Sequence, residues 1–238
     1  MNSVTALICL SSLLLGSTAS TSTSLWGKKV QLKGRTCIWQ LQPDVVIPAL
    51  AELSVCMLIR RSYDTDWTGF DYKAPGGIYT ELGLGGTAGQ MTVWLFGEKQ
   101  ILKSNMKLHE WQSVCVTWSG PAQRLQVYIN GTRLLEAPVS PKTPRKLAPG
   151  GTLTLGVSHY VAASGEVKPE TGKELLGDIG LFRIWAREWS AVELSGPSCA
   201  DGDVVRWDLQ HWRHGCPAVP DSTIHCGKYA FSFHDDAV

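Results

Sequence analysis

Apolar and polar residues alternate along much of this chain in short runs, rather than recurring every three or four positions. The runs are SVCMLIR (54–60), GIYTEL (77–82), MTVWLF (91–96), SVCVTWS (113–119), RLQVYING (124–131), GTLTLGV (151–157) and DIGLFRIW (178–185). Each is bounded by Gly, Pro, Asn or Asp. Successive strand side chains point to opposite faces, so period-two runs between turn residues predict an antiparallel all-β sandwich. RLQVYING-TRLLEAP predicts a hairpin, because Asn130-Gly131 suits a type I′ turn whose two central residues take positive φ. One short helix is expected near the C-terminus. Ser190 and Glu193 have capping-box spacing, and Gly196-Pro197 would end the helix. Two polar stretches interrupt the pattern. APVSPKTPRKLAPGG (137–151) reads as a solvated connector. VSHYVAASGEVKPETGKE (157–174) reads as a long loop whose acids are Glu166, Glu170 and Glu174.

Composition narrows the class. Of the 238 residues 44% are hydrophobic, enough for a core, and the net charge is +1 with both signs interspersed. Neither nucleic-acid binding nor electrostatic membrane docking is expected, since both need a basic face. Ala6 to Gly16 is apolar and is followed by STAS, which fits a secretory signal over 1–19, although MNSVT lacks Lys and Arg. A transmembrane anchor would need about twenty apolar residues. The expected product is therefore secreted, with one folded domain over 25–226 and a tail over 227–238.

Cys9 lies in the leader. That leaves Cys37, Cys56, Cys115, Cys199, Cys216 and Cys226, an even number that argues for three disulfides of open connectivity. His211-Trp-Arg-His214-Gly-Cys216 reads as a disulfide-containing loop rather than a metal site. Asn130-Gly131-Thr132 is a glycosylation sequon. Asp64-Thr-Asp66-Trp-Thr-Gly69-Phe-Asp71 begins like an EF-hand loop but has Pro75 at the twelfth position. It reads as a strand connection whose acids face water. No E-x-D-x-E or G-x-S-x-G occurs, Asp178 reads as a turn residue, and the six histidines read as surface residues, so no enzyme activity is expected. Trp118, Trp185 and Trp207 are expected in the core. Trp67 and Trp189 are the better candidates for exposure, where tryptophan can stack on sugars, although packing against the sandwich edge is the favoured role even for these.

The order SVCMLIR, SVCVTWSG, RLQVYINGTRLLE, GTLTLGV, LLGDIGLFRIWAREWSAVEL resembles the pentraxin domain, a two-sheet antiparallel jelly-roll sandwich of laminin-G-like type. Cys56, Cys115, Thr117 and Trp118 match that family's signature, with Ser113 in place of its histidine. SLWGKKVQLKGR and SCADGDVVRWDLQHWRH…PDSTIHC are more similar still to the pentraxin-like N-terminal domain of adhesion G-protein-coupled receptors. The resemblance implies the pairs Cys56–Cys115 and Cys199–Cys226, which leave Cys37–Cys216. It also implies a place for calcium, with ligands from an early loop near Tyr79-Thr80 and from the stretch after Leu155-Gly156. Here Val157-Ser158-His159-Tyr160 offers no carboxylate. Glu170 alone stands at a ligand position, and Lys173 stands where the family has a glutamine. The expectation is that no cofactor is used and that the calcium site is lost. His159, Lys173 and Trp67 are then candidates for contacting a ligand from a calcium-free surface. The implied function is a non-catalytic extracellular recognition or adhesion module for a protein, matrix or glycan ligand. It could form part of such a receptor and could associate with further copies of itself. The alternative is a free-standing, calcium-dependent soluble pentraxin.

Overall fold

A computed structural model describes residues 23–104, 106–139, 146–195 and 200–224. Sixteen strands follow the period-two pattern: β1 Lys28–Lys33, β2 Trp39–Leu41, β3 Glu52–Arg61, β4 Trp67–Lys73, β5 Leu82–Thr87, β6 Gln90–Leu95, β7 Glu98–Lys103 and β8 Gln112–Ser119; then β9 Arg124–Ile129, β10 Thr132–Pro138, β11 Thr152–Leu155, β12 His159–Val161, β13 Val167–Pro169, β14 Leu176–Trp185, β15 Trp212–His214 and β16 Ala218–Pro220. They form two seven-stranded sheets, ordered β10-β9-β8-β3-β14-β1-β16 and β15-β2-β11-β4-β5-β6-β7, plus the separate hairpin β12-β13. All ladders among the described residues are antiparallel, so the fold is an all-β jelly-roll sandwich.

The inward faces interdigitate in one core. Val55, Met57 and Ile59 of β3 and Val114, Val116 and Trp118 of β8 face Phe70 and Tyr72 of β4 and Met91 and Val93 of β6. In β14 the register shifts between Gly180 and Arg183, where Leu181 has φ 49°. This irregularity turns Phe182 inward, and its ring meets Phe70 edge-on at 5.4 Å, joining the sheets. At one end Trp39, Trp207 and Trp212 form an aromatic cluster with centroids 5.8–6.2 Å apart. Beside it a disulfide joins Cys37 to Cys216. The Cys56–Cys115 disulfide bridges directly opposed positions of β3 and β8, under Trp185 and Trp189. Cys199 and Cys226, the expected leader over 1–19 and the expected tail over 227–238 lie outside the described residues.

The hairpin at Asn130-Gly131 has φ of 49° and 76°, as a type I′ turn requires. The helix α1 spans Ala191–Ser195. The Ser190 amide donates to Glu193 Oε2 at 2.8 Å, and the Glu193 amide donates back to Ser190 Oγ at 3.3 Å. Four readings of strands and loops need correction. In GIYTEL only Leu82 belongs to a strand; the residues before it are a turn that leaves Ile78 91% exposed. The strand is instead LGLGGT, whose glycines hide the alternation. DTDWTGFD is no water-facing connection at its second half, because Asp71 is buried within β4. Asp178 is a strand residue of β14, bonded at 2.7 Å to Arg60. The long loop 157–174 contains the hairpin β12-β13, so it has a backbone ladder of its own.

Candidate functional site

Along β4 the side chains alternate. Phe70 and Tyr72 enter the core, so Asp71 and Lys73 share the outer face of the second sheet. Such positions ordinarily meet water. Here the segment carrying β12-β13 folds back over them, and Asp71 is the group that receives it. Thr80 Oγ donates to Asp71 Oδ1 at 2.7 Å, while the His159 amide and Nδ1 lie 3.0 and 3.1 Å from Oδ2. Thr154, opposite Asp71 on β11, donates its hydroxyl proton to the Val157 carbonyl. Thr154 can therefore only accept from His159 Nδ1, 3.0 Å away, so Nδ1 carries a proton. Burial alone would push the Asp71 carboxyl up. The His159 and Thr80 donors outweigh it and hold the group below the ordinary carboxylate range.

Lys73 completes the cluster. Its ammonium lies 3.1 Å from Glu170 Oε1 and 4.0 Å from Asp71 Oδ2, and its side chain is only 5% exposed. Ser158 Oγ sits between the same carboxylates, 2.8 Å from Glu170 Oε2 and 3.3 Å from Asp71 Oδ2. The Glu170 amide donates to the Ser158 carbonyl at 2.8 Å, which closes the base of the hairpin.

Above this cluster opens a cleft of about 200 Å³. Part of its wall is Trp94, whose ring lies across Gly83 and Gly85 of β5. A Cβ at Gly85 would stand 3.1 Å from that ring and 2.6 Å from the Trp67 carbonyl oxygen. The glycines thus make the seat on which the indole rests. Lys99 is the direct cross-strand partner of Trp94 and shares its face. Lys173, Tyr79 and Ile78 also line the cleft. Neither Lys99 nor Lys173 has an ion-pair partner among the described residues.

The structure thus brings Glu170, Lys173, Tyr79 and Thr80 into one place, although they are far apart in the chain. It does not present the other candidates to the cleft. His159 is fully buried beneath the hairpin rather than presented on it, because its ring satisfies Asp71 and Thr154. Trp67 is 3% exposed: as the first residue of β4 it lies over Gly86, with the Arg61 guanidinium 5.8 Å from its ring. Trp189 is likewise buried, 4.6 Å from Trp185. Of the histidines, His214 stacks on Trp39 at 5.0 Å, and burial followed by Arg206 pushes His211 down. Asn130 is exposed at the β9-β10 tip, away from the cleft, and its Oδ1 accepts from the Ser113 amide at 2.9 Å. Sequence reading missed Asp71, Lys73, Ser158 and Trp94. The i, i+2 spacing of Asp71 and Lys73 would have put them on one strand face, had 67–73 been read as a strand.

Comparison with known proteins agrees with this architecture. Residues 38–195 match the model Laminin_G_3, described as the concanavalin A-like lectin/glucanases superfamily. The chain belongs to that superfamily. It is 28% identical over 216 residues to the human adhesion G-protein coupled receptor G4, covering 87% of this chain and 7% of the receptor. The mouse receptor of the same name is 26% identical over 213 residues, covering 86% and 7%. The chain therefore spans about 7% of the length of these relatives. Among solved structures, the extracellular region of zebrafish Gpr126/Adgrg6 superposes with a TM-score of 0.66 at 24% identity, over 84% of this chain and 27% of that one. The heptameric SAP-like pentraxin of Limulus polyphemus superposes with 0.71 at 17% identity, over 85% and 98%. The fold is pentraxin-like.

Proposed function

We propose that this chain is a non-catalytic extracellular recognition module that takes a protein, matrix or glycan ligand in the cleft beside Trp94. The observation that carries the reading is the cleft itself: an aromatic wall seated on glycines, flanked by Lys99 and Lys173 with no ion-pair partners among the described residues. An indole face offers apolar area and a partial negative charge to a sugar ring or a cation, while the lysines offer donors to acidic or hydroxyl groups. Asp71 and Glu170 are joined to each other through Lys73 and Ser158, which supports a structural role for this pair in holding the hairpin on the sheet. The names of the mammalian relatives, which are adhesion receptors, support a place outside the cell. We take the folded unit as 25–226, after a leader over 1–19 and before a tail over 227–238.

The test is a binding screen of the 25–226 fragment against extracellular-matrix proteins and glycans, followed by Trp94→Ala and the pair Lys99→Glu/Lys173→Glu. Each should weaken binding of the ligand found by about tenfold or more while leaving Tm within about 2 °C of the native value. Unchanged binding in both would place recognition elsewhere. Assembly of copies is a second reading, favoured by superposition over 98% of a pentraxin that is heptameric. Sedimentation of the fragment as a monomer at micromolar concentration would remove it.

A further inference from the structure

We propose that Lys73 is the resident cation of this cleft and that the site works without a metal ion. The pentraxin resemblance implies calcium at this end of the sandwich, and the side chains present do not fit it. Calcium takes about six to eight oxygen ligands, several of them carboxylates. The carboxylates lining the cleft are Asp71 and Glu170, and one buried ammonium stands within 4.0 Å of both. The hydroxyls of Thr80 and Ser158 are also committed. Thr80 and Ser158 are turned to donate to these same carboxylates, and His159 donates to Asp71 from the other side. A divalent ion would have to displace a lysine whose side chain is 5% exposed, and then lie beside its positive charge.

The geometry also explains why a lysine can do a metal's work here. A metal in such a site joins one carboxylate from the sheet to another from the covering loop. Lys73 makes the same junction. Its backbone is fixed at the end of β4, two residues from Asp71, and its Nζ reaches Glu170 across 97 positions of sequence. The link is covalently anchored and is therefore present at any calcium concentration. It cannot act as a bridging ion with open positions for a ligand, because an ammonium has only its three protons to offer and this one is almost wholly buried. Contact with a ligand falls to the side chains at the rim. The inference stands whichever ligand the cleft takes.

Three measurements test it. In the native 25–226 fragment, Tm in about 5 mM calcium and in excess EDTA should agree within about 1 °C, and calorimetric titration with calcium should show no micromolar site. Micromolar binding, or a chelator-induced drop of several degrees, overturns the proposal. Reductive methylation of the native protein, read by peptide mass spectrometry, should modify Lys73 at least about tenfold more slowly than Lys99 and Lys173. Equal rates overturn it. Lys73→Met should lower Tm by about 3–8 °C, and adding Glu170→Gln should restore part of that loss, since the carboxylate stranded by the first change is gone. An unchanged Tm in Lys73→Met, or strictly additive losses, overturns it. If Lys73→Met does not fold, the calcium and methylation results on the native fragment decide.

Discussion

A carboxylate taken out of water binds its proton more tightly unless donors replace the water. At Asp71 and Asp221 the donors win. Burial pushes Asp221 up, but the Thr223 hydroxyl and amide and the Lys29 ammonium, 3.1 Å away, outweigh it and hold the carboxyl at about 2. Arg60 stands 3.5 Å from the same carboxylate, 2.7 Å from Asp178, and 4.6 Å from the centre of the Trp111 ring. Both folded pKa values lie below the unfolded carboxylate value, so the unfolded chain binds more protons as pH falls through that interval. For Asp221 the stabilisation is therefore complete above about pH 5 and is lost between there and about pH 2. Asp221→Asn should cost about 1–2 kcal/mol at pH 7 and close to nothing at pH 2, measured by urea unfolding at both values. A pH-independent loss would mean that Asp221 acts by shape alone. At this scale the sequence was only partly legible. Glu170 was singled out only by the family resemblance, and the structure sets it in the cleft. Lys73 could not be recognised as its partner, because nothing local marks a contact that joins residues 97 positions apart.

Strand identity was most legible where alternation was apolar on one face, as in β3, β8 and β14. It failed where glycine or a buried polar residue occupied the alternate position. LGLGGT carries glycines on the face where Trp94 lies, so apolar periodicity pointed to the neighbouring GIYTEL instead. The turn between β6 and β7 shows the same limit. Phe96 and Gly97 have φ of 53° and 82°, the backbone that Asn130-Gly131 announces by composition. A phenylalanine gives no such signal, and Phe96 is held there by an edge-on contact with Trp118 at 5.1 Å. The glycine seat under Trp94 yields a prediction for β5. Gly85→Ala places a methyl 2.6 Å from a backbone oxygen and 3.1 Å from the indole, so either the strand or the ring must shift. We expect a loss of about 1–3 kcal/mol, with increased quenching of Trp94 by iodide. An equally stable Gly85→Ala variant with native quenching would show that the ring does not rest on β5.

The alternating runs and the resemblance suggested the whole sandwich, and the resemblance left Cys37–Cys216 to join its two ends, but neither indicated the strand pairing that closes them together. β1 lies between β14 and β16, β2 lies between β11 and β15, and the Leu25 amide donates to the Trp207 carbonyl at 3.0 Å. Residues from both ends thus build the Trp39, Trp207 and Trp212 cluster. The Cys37–Cys216 disulfide closes a loop of 179 residues around that cluster, against 59 for Cys56–Cys115. On chain entropy alone the longer loop contributes about 1 kcal/mol more. The shorter one lies within β3 and β8, where neighbouring ladder pairs already hold its strands. Breaking the two bonds should therefore act on different parts of the molecule. Cys37→Ser/Cys216→Ser should cost about 3–5 kcal/mol and release the C-terminal strands first. Tryptophan emission should shift to the red, and amides of β15 and β16 should exchange much faster, while those of β3 and β8 keep their protection. Cys56→Ala/Cys115→Ala should leave β15 and β16 as protected as the rest of the molecule. If removing Cys37–Cys216 speeds exchange equally in β3, β8, β15 and β16, the termini are not a separate closing unit and the sandwich unfolds as one.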